Sequence, residues 1–385
     1  MQRGVIETAQ RRGLRVVAID PDPNAVGLAL ADEAHVADLS NIDLCTRVAE
    51  RARVSGVLTF GADYPVPSVA AVAFHLGLPG ISLDAATRAT DKAAMRAALD
   101  KHSVAVPEWR LVSTVDEALD AARELGGALV VKPRRSSGSR GVSLIGPSDT
   151  DEVVKTAAAR ALADSWTAGA VVERYVAGPE FSIEAVTSGG DTRIVAVTAK
   201  EVSAPPHCVE LAHVQPATMS ELERRVIDEV VASTIAAIGV DHAVSHTEVR
   251  LTRDGPVVME IAARAAGGFI ASHLVPLSTG VDLTAVAVAL ALGENPDLSS
   301  LRQAGAAVRF LCPAPGRVVD IRGIDGARRL PGVCVVDVNL SVGQVVAPLR
   351  DSRDRVGYVI ASGDDASQAA RRATRAACVI EVVVA

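Results

Sequence analysis

Two carboxylates on either side of a short turn are where chemistry first becomes legible in this sequence. Glu248 and Glu260 lie on the arms of an expected hairpin, 243–251 and 256–263, whose turn is Thr252-Arg253-Asp254-Gly255. A turn centred on residue 254 sets the two carboxylates opposite each other. Like charges directly opposed in a sheet destabilise it. A divalent cation between them removes the penalty, and oxygen-only ligands suit Mg2+. Strand alternation puts Val249, Leu251, Val257, Met259 and Ile261 on an apolar face, and His246, Glu248, Arg250, Glu260 and Arg264 on the other. Two readings stand: a cation site, or a solvent-facing sheet side laced with salt bridges.

A second cluster is the run Ala128-Leu-Val-Val-Lys132-Pro-Arg-Arg-Ser136-Ser137-Gly138-Ser139-Arg-Gly141-Val-Ser-Leu-Ile145. It reads as strand, glycine loop, strand. Between 131 and 148 it holds Lys132, Arg134, Arg135 and Arg140 and no acid. Gly138 and Gly141 allow a tight loop whose amides point at phosphate oxygens. It is neither a P-loop nor a dinucleotide fingerprint, because no GxxxxGK[ST] is present and no helix follows. The alternative is a solvated basic hairpin tip. A third stretch, Val171-Val-Glu173-Arg-Tyr-Val176-Ala-Gly178-Pro-Glu180-Phe-Ser-Ile-Glu184, places acids among apolar strand residues and by itself gives only a half-buried strand pair.

Five histidines, His207, His213, His242, His246 and His273, fall within 207–273, but no HxxxH or HExxH links them, which argues against zinc. Each reads as structural except His213 and His273, which are kept open as substrate contacts. There is no GxSxG elbow and no cysteine in a nucleophile motif, so covalent acyl-enzyme chemistry is disfavoured.

The elements that must position these groups alternate at first as in an open parallel sheet. Helix is expected at 2–13, strand at 14–20, helix at 42–53, strand at 54–60 and helix at 66–76. Doubly wound domains usually open on a strand and glycine turn; here the chain starts on a helix, so a first strand is expected to be missing. One helix over 84–101 follows, with Asp84 or Asp91 as caps. Then come strand 108–112, helix 114–125, strand 128–132, strand 142–145, helix 149–163, strand 170–175 and a strand pair through 181–200. Residues 202–217 read as irregular, 220–238 as helix, and 268–291 as helices. From 304 onward the pattern changes to five short Val-rich strands and a helix near 364–377, a separate α+β domain.

Composition bounds the function classes. The 385 residues, at 49% hydrophobic with a net charge of −7, exclude wholesale disorder and argue against a nucleic-acid binder. Mean hydropathy is +0.26, yet the longest uncharged stretch, Tyr64 to Leu83, is broken by Pro65, Pro67 and Pro79, so no membrane span is expected. Five dispersed cysteines without a CxxC fit reduced thiols in a cytoplasmic setting.

Taken together, these segments resemble the ATP-grasp superfamily, most closely its carboxylate–amine ligases of the L-amino-acid ligase type. The matching pieces are Asp91-Lys92, the Val-Val-Lys132-Pro strand with its Ser-Ser-Gly-Ser-Arg-Gly loop, Val-Glu173-Arg-Tyr-Val176-x-Gly-x-Glu180-Phe-Ser, His-Thr-Glu248, and Met-Glu260-Ile-Ala-Ala-Arg264-x-x-Gly267-Gly268. They occur in the family's order from about 84 to 292. Leu-Pro-Gly332-Val and Asp354-Arg-Val-Gly-Tyr-Val-Ile-Ala-Ser-Gly363 resemble the C-terminal domain of the same ligases.

The resemblance implies a three-domain α/β (α+β) fold. An N-terminal open parallel sheet occupies 1–83, a two-lobed ATP-grasp region 84–295 with a lid subdomain at about 110–175, and a β-rich C-terminal domain 304–385. It implies ATP and Mg2+ (or Mn2+), small-molecule carboxylate and amine substrates, no nucleic acid or membrane partner, and the homodimer frequent among relatives as the oligomer to test. Lys92 and Lys132 would hold ATP phosphates, and Ser136, Ser137, Gly138, Ser139 and Gly141 would close over them. Glu173 and Val176 would offer backbone groups to adenine, Glu180 would bind ribose, Glu248 and Glu260 would bind Mg2+, and Arg264 would stabilise the transferred phosphoryl group. Substrate residues are expected within 203–216 and 264–275, with His213, Gly267 and Gly268 as candidates. The sequence departs from the family at Ala262, where many members carry a metal-binding Asn, and in the missing first strand. Competing readings are a carboxylase or purine-pathway ligase of the same superfamily, and a nucleotide-binding protein without catalysis.

Overall fold

A computed structural model gives the structure of the protein and describes residues 2–204, 207–299 and 302–385. At the N-terminal end, Val17–Asp20 and Glu33–Val36 pair in parallel. Helices Gln2–Arg11, Ile42–Ala52 and Val66–Leu76 lie around them. The expected strand over 54–60 joins no ladder. Val16–Asp20 and Val54–Thr59 both line a cavity of about 460 Å3, and strands pair only with neighbours about 4.8 Å apart.

The expected single helix over 84–101 is two helices, Leu83–Thr90 and Lys92–Lys101. Asp91 stands between them in extended backbone, and its Oδ1 accepts from Ala93 N at 3.0 Å and Ala94 N at 3.2 Å. This N-cap restarts the helix in a new direction and leaves Lys92 on its first turn. Ser82, not Asp84, caps the preceding helix.

The lid is a four-stranded antiparallel sheet in the order Trp109–Val112, Ala170–Arg174, Leu129–Pro133, Ser143–Ile145. Helices Val115–Leu125 and Asp151–Asp164 bury its apolar face over Leu129, Val131 and Val172. The main sheet has eight antiparallel strands in the order Gly255–Ala262, Ala243–Thr252, Glu180–Ser188, Asp191–Val202, Glu210–Gln215, Gly305–Leu311, Gly357–Gly363 and Val333–Val338. Two expectations change here. Residues 210–215, read as irregular, form a strand, because they bridge Asp191–Val202 to Gly305–Leu311. The tail beyond 304 holds six strands, not five, among the described residues, and three of them extend the main sheet instead of forming a sheet of their own. The other three, Gly316–Arg322, Val345–Val346 and Glu381–Val384, make a small sheet. Helix Glu221–Ile238, opened by a Ser220–Glu223 capping box, covers the hairpin side with Ile227, Val231 and Ile235. Among the described residues no single helix is long and apolar enough to cross a membrane.

Candidate active site

A cavity of about 430 Å3 lies between the lid and the main sheet. The hairpin supplies its floor, and the register there differs from a simple turn. Thr252 pairs with Gly255 and Val249 with Val258, so the turn is one residue tighter than expected. A β-bulge then inserts one residue, and Glu248 pairs with Glu260. Without the bulge Glu248 would face Met259. The bulge also corrects the faces: Val249, Val258 and Ile261 are fully buried on the apolar side, whereas Met259 joins Glu260 on the cavity wall. An extra residue on one strand turns two consecutive side chains to the same side.

The opposed carboxylates are held by lysines. Lys92 Nζ donates to Glu260 Oε1 at 3.1 Å, and Lys200 Nζ donates to Glu248 Oε1 at 2.8 Å. Lys200 also meets Glu180 at 2.7 Å and Glu210 at 3.1 Å. Burial works against the charge of Lys200, yet these three carboxylates raise its pKa well above the ordinary value. Burial likewise works against Glu248, but Lys200 and His246 hold it well below the usual carboxylate range. Behind Glu248, His246 Nδ1 lies 2.6 Å from Glu184 Oε1, and Glu184 Oε2 accepts from Ala266 N at 3.0 Å. Burial disfavours the imidazolium, and the two glutamates outweigh it, raising His246 to about 9.

On the lid side, Lys132 pairs with Glu173 at 2.7 Å, and Glu173 also accepts from Arg96 Nε at 2.8 Å. Burial raises the Glu173 carboxyl, but Arg96 and Lys132 more than offset it and hold it at about 2. One carboxylate thus serves two cations, and burial pulls the Lys132 pKa down. Ser136, Ser137, Gly138 and Ser139 line the same cavity. Gly141 does not. It turns the loop at φ +70, where a Cβ would meet Pro133 Cγ at 2.6 Å and Asp164 Cβ at 2.9 Å. The arginines of the basic run are also spent elsewhere: Arg134 on Asp91 at 2.8 Å, Arg135 on Thr90 Oγ1 at 3.1 Å, and Arg140 on Ser137 O at 2.9 Å.

Arg264 lines the cavity and is gripped by Asp63, with Nε to Oδ1 at 3.0 Å and Nη2 to Oδ2 at 2.7 Å. Glu180 accepts from Arg250 Nε at 2.9 Å, and the Val176 carbonyl accepts from Arg250 Nη1 at 2.6 Å. Gly267, Gly268 and the buried His213 form a further wall. A Cβ at Gly268 would sit 2.5 Å from His213 Cε1, so the ring needs glycine there. His273 lies off the wall, edge-on to Phe269 at 5.5 Å. Of the expected substrate stretch 203–216, Pro205 and Pro206 lie outside the described residues.

The sequence marked Glu184 only as one of the acids in a half-buried strand pair and gave no site role to Asp63, Arg96, Lys200 or Glu210. The one available signal was charge inside apolar runs, as at Glu184 and Lys200. Among the described residues no three His, Cys, Asp or Glu side chains form a metal cluster. Two opposed carboxylates alone fit an ion that takes its remaining ligands from water and nucleotide phosphates, the usual habit of Mg2+. Ala262 contributes no donor.

Residues 125–273 match the ATP-grasp domain family, and residues 309–385 match the L-amino acid ligase C-terminal domain 2 family. An uncharacterized protein, y4rH, of Sinorhizobium fredii is 31% identical over 379 residues, covering 95% of this chain and 77% of the relative. The alanine–anticapsin ligase of Bacillus amyloliquefaciens is 26% identical over 67% of this chain, which spans 58% of that ligase's length. The L-amino acid ligase of Bacillus licheniformis has the same fold, with a TM-score of 0.86 at 22% identity, covering 99% of this chain and 95% of its own. With lid, hairpin and C-terminal strands arranged as described, the chain belongs to the ATP-grasp superfamily, among its carboxylate–amine ligases of the L-amino-acid ligase type.

Proposed function

We propose that this protein activates the carboxylate of an amino acid with ATP and joins it to an amine, giving an amide or dipeptide, ADP and phosphate. The observation that carries this reading is the pair of opposed glutamates, each already matched to a lysine, beside Lys132 and Arg264 in one cavity. A site that receives MgATP must accept both a divalent cation and a polyanion. Here the cation would be held by Glu248 and Glu260 and would supply charge neutralisation on the phosphoryl oxygens. Lys92 and Lys200 compensate those same carboxylates, so they are placed to turn toward phosphate. Lys132 adds a cation from the lid strand, and the loop 136–139 excludes water over it.

A carboxylate oxygen attacks the γ-phosphorus and the bond to the ADP oxygen breaks, leaving an acyl phosphate. The amine lone pair then attacks the acyl carbon, phosphate leaves, and the amine proton passes to solvent. Arg264, fixed by Asp63 through two parallel hydrogen bonds, offers its remaining N–H groups to the transferred phosphoryl oxygens. No protein nucleophile is required. The match of 309–385 to the L-amino acid ligase C-terminal family supports an amino-acid substrate over bicarbonate.

The test is Mg2+-dependent ADP release over a panel of single and paired amino acids, with Glu260→Ala as control. One or more pairs should stimulate release, and the variant should lower it by about 100-fold or more. MgATP binding without stimulated release by any pair would contradict the reading and favour nucleotide binding alone.

A further inference from the structure

The cavity of about 460 Å3 in the N-terminal region shares no lining residue with the candidate site. Val16–Asp20 and Val54–Thr59 both line it, and both leave backbone groups unpaired. Val17–Asp20 pairs with Glu33–Val36 along one edge only. The Val16 carbonyl accepts from Glu33 N at 3.1 Å, and the Asp20 carbonyl from Ala37 N at 3.1 Å. Backbone polar groups of successive residues turn to opposite edges of a strand, so Val17 and Ile19 present theirs at the other edge. In the second segment Gly56–Thr59 are all half-buried. None of their backbone N–H or C=O groups has a protein partner among the described residues. Backbone groups withdrawn from water are paired in native proteins, and two such rows beside one cavity call for a further chain segment.

The surroundings define that segment. Leu58 packs with Val5 and Val288 in one core, and Val57 with Cys45 and Val72 in another. Consecutive residues thus face two different helical layers, as in a sheet covered on both faces. A strand in such a sheet is a continuous apolar run, not an alternating one. Gly56 is seated on helix Leu283–Ala291, where a Cβ would stand 2.5 Å from Ala291 O, so this segment is held where it is. Helix Gln2–Arg11 sets the direction. Gln2 Nε2 donates to Thr59 Oγ1 at 3.2 Å and Gln2 Oε1 accepts from Phe60 N at 3.1 Å, so the helix starts where Val54–Thr59 finishes. Near its other end, Gln10 Nε2 donates to Leu30 O at 2.9 Å, close to the start of Glu33–Val36. A strand leading into this helix therefore runs parallel to Val17–Asp20. Doubly wound sheets order their strands 3-2-1-4. Glu33–Val36, Val17–Asp20 and Val54–Thr59 match places 3, 2 and 4, and the cavity falls at place 1.

We infer that this cavity seats a β-strand of about five residues joined to the front of helix Gln2–Arg11. The strand is a continuous apolar run, paired in parallel with Val17–Asp20 on one edge and with Gly56–Thr59 on the other. Thr59 leads in four residues to Asp63, which grips Arg264, so the strand also steadies one wall of the candidate site.

Amide hydrogen exchange tests this on the 385-residue chain and on two fusions ahead of Gln2. One fusion carries a run of about five Val, Ile and Leu residues and a glycine turn; the other alternates Val and Lys over the same length. In the 385-residue chain the amides of Val17, Ile19 and Gly56–Thr59 should exchange rapidly. The apolar run should slow them by about 100-fold or more, and the alternating run should leave them unchanged. Slow exchange of these amides without a fusion, no slowing by the apolar run, or equal slowing by both runs overturns the inference. Protected amides at Ile183 and Val249 in the main sheet report that each protein is folded. Should a fusion fail that check, a free peptide of the apolar run, lysine-tagged at its N-terminal end, replaces it. Protection of the same amides by the peptide upholds the inference, and its absence overturns it.

Discussion

Glu173 shows how much of this site is decided by single side chains. Its carboxylate is 4% exposed and lies between Arg96 and Lys132. Removing one partner of a buried ion pair leaves charge without compensation and costs about 3–5 kcal/mol. Glu173→Gln should therefore destabilise the fold by that order at pH 7, measured as the change in urea unfolding free energy. The pH dependence has a definite sign. The folded value of about 2 lies below the ordinary 4.5, so the stabilisation is complete above the unfolded value and is lost as the pH falls toward 2. The gap between wild type and variant should accordingly narrow below pH 4.5. A gap that stays constant down to pH 2.5 would mean the ion pair contributes nothing. At this scale the sequence was informative where residues are neighbours along one strand or hairpin. Lys92, Lys132, Glu248, Glu260 and Arg264 were all singled out, and the structure brings them to one cavity. Lys200 was not, because its partners Glu180, Glu210 and Glu248 come from three other strands. Strand order makes them neighbours, and no spacing along the chain encodes it.

Among the elements, the hairpin bulge matters most. It is what sets Glu248 against Glu260, and Arg96 holds it in place. The Arg96 Nη2 donates to Met259 O at 2.6 Å and Nη1 to Val258 O at 3.4 Å, while Nε reaches Glu173. A fully buried arginine thus satisfies carbonyls at the irregular step. Arg96→Met should relax the bulge and weaken Mg2+ binding in the presence of ADP by about 10- to 100-fold, the range for groups that orient metal ligands. Titration calorimetry checks this, and an unchanged Mg2+ affinity would detach the bulge from the site. The opposition of the two glutamates was expected for a different reason, a turn centred on residue 254. The turn is tighter and the bulge restores the pairing. A bulge leaves little trace in hydrophobic alternation, since Val257, Val258 and Met259 are all apolar. The break at Asp91 has the opposite character: a cap in mid-helix was visible in the sequence, but whether it restarts a helix or sits inside one depends on packing.

At the scale of the whole molecule, the C-terminal region reaches the candidate site through Ser352 and Arg355, which line its cavity. The C-terminal strands continue the main sheet through Gly305–Leu311, and the turn at Ser352 reaches the lid, where Ser352 Oγ donates to Gly138 O at 3.2 Å. The expectation of a third, α+β domain from 304 onward followed from a change in strand length and composition, and Gly305–Leu311 of that segment pairs with Glu210–Gln215 of the main sheet. Gly138 has φ +67, and a Cβ there would meet Ser352 Oγ at 3.1 Å. Gly138→Ala therefore strains the left-handed loop by about 1–2 kcal/mol and crowds the contact between lid and tail. It should raise KM for MgATP by about tenfold, with a thermal midpoint close to wild type. An unchanged KM would mean that the loop closes without regard to the tail.

In the proposed reaction a carboxylate is phosphorylated before an amine is joined to it. The decisive experiment follows turnover of the stimulating amino-acid pair with both carboxylate oxygens of the donor labelled with 18O. One labelled oxygen should appear in each phosphate released, read by mass spectrometry, together with an amide product. Phosphate that carries no label while ADP and amide are formed would contradict it.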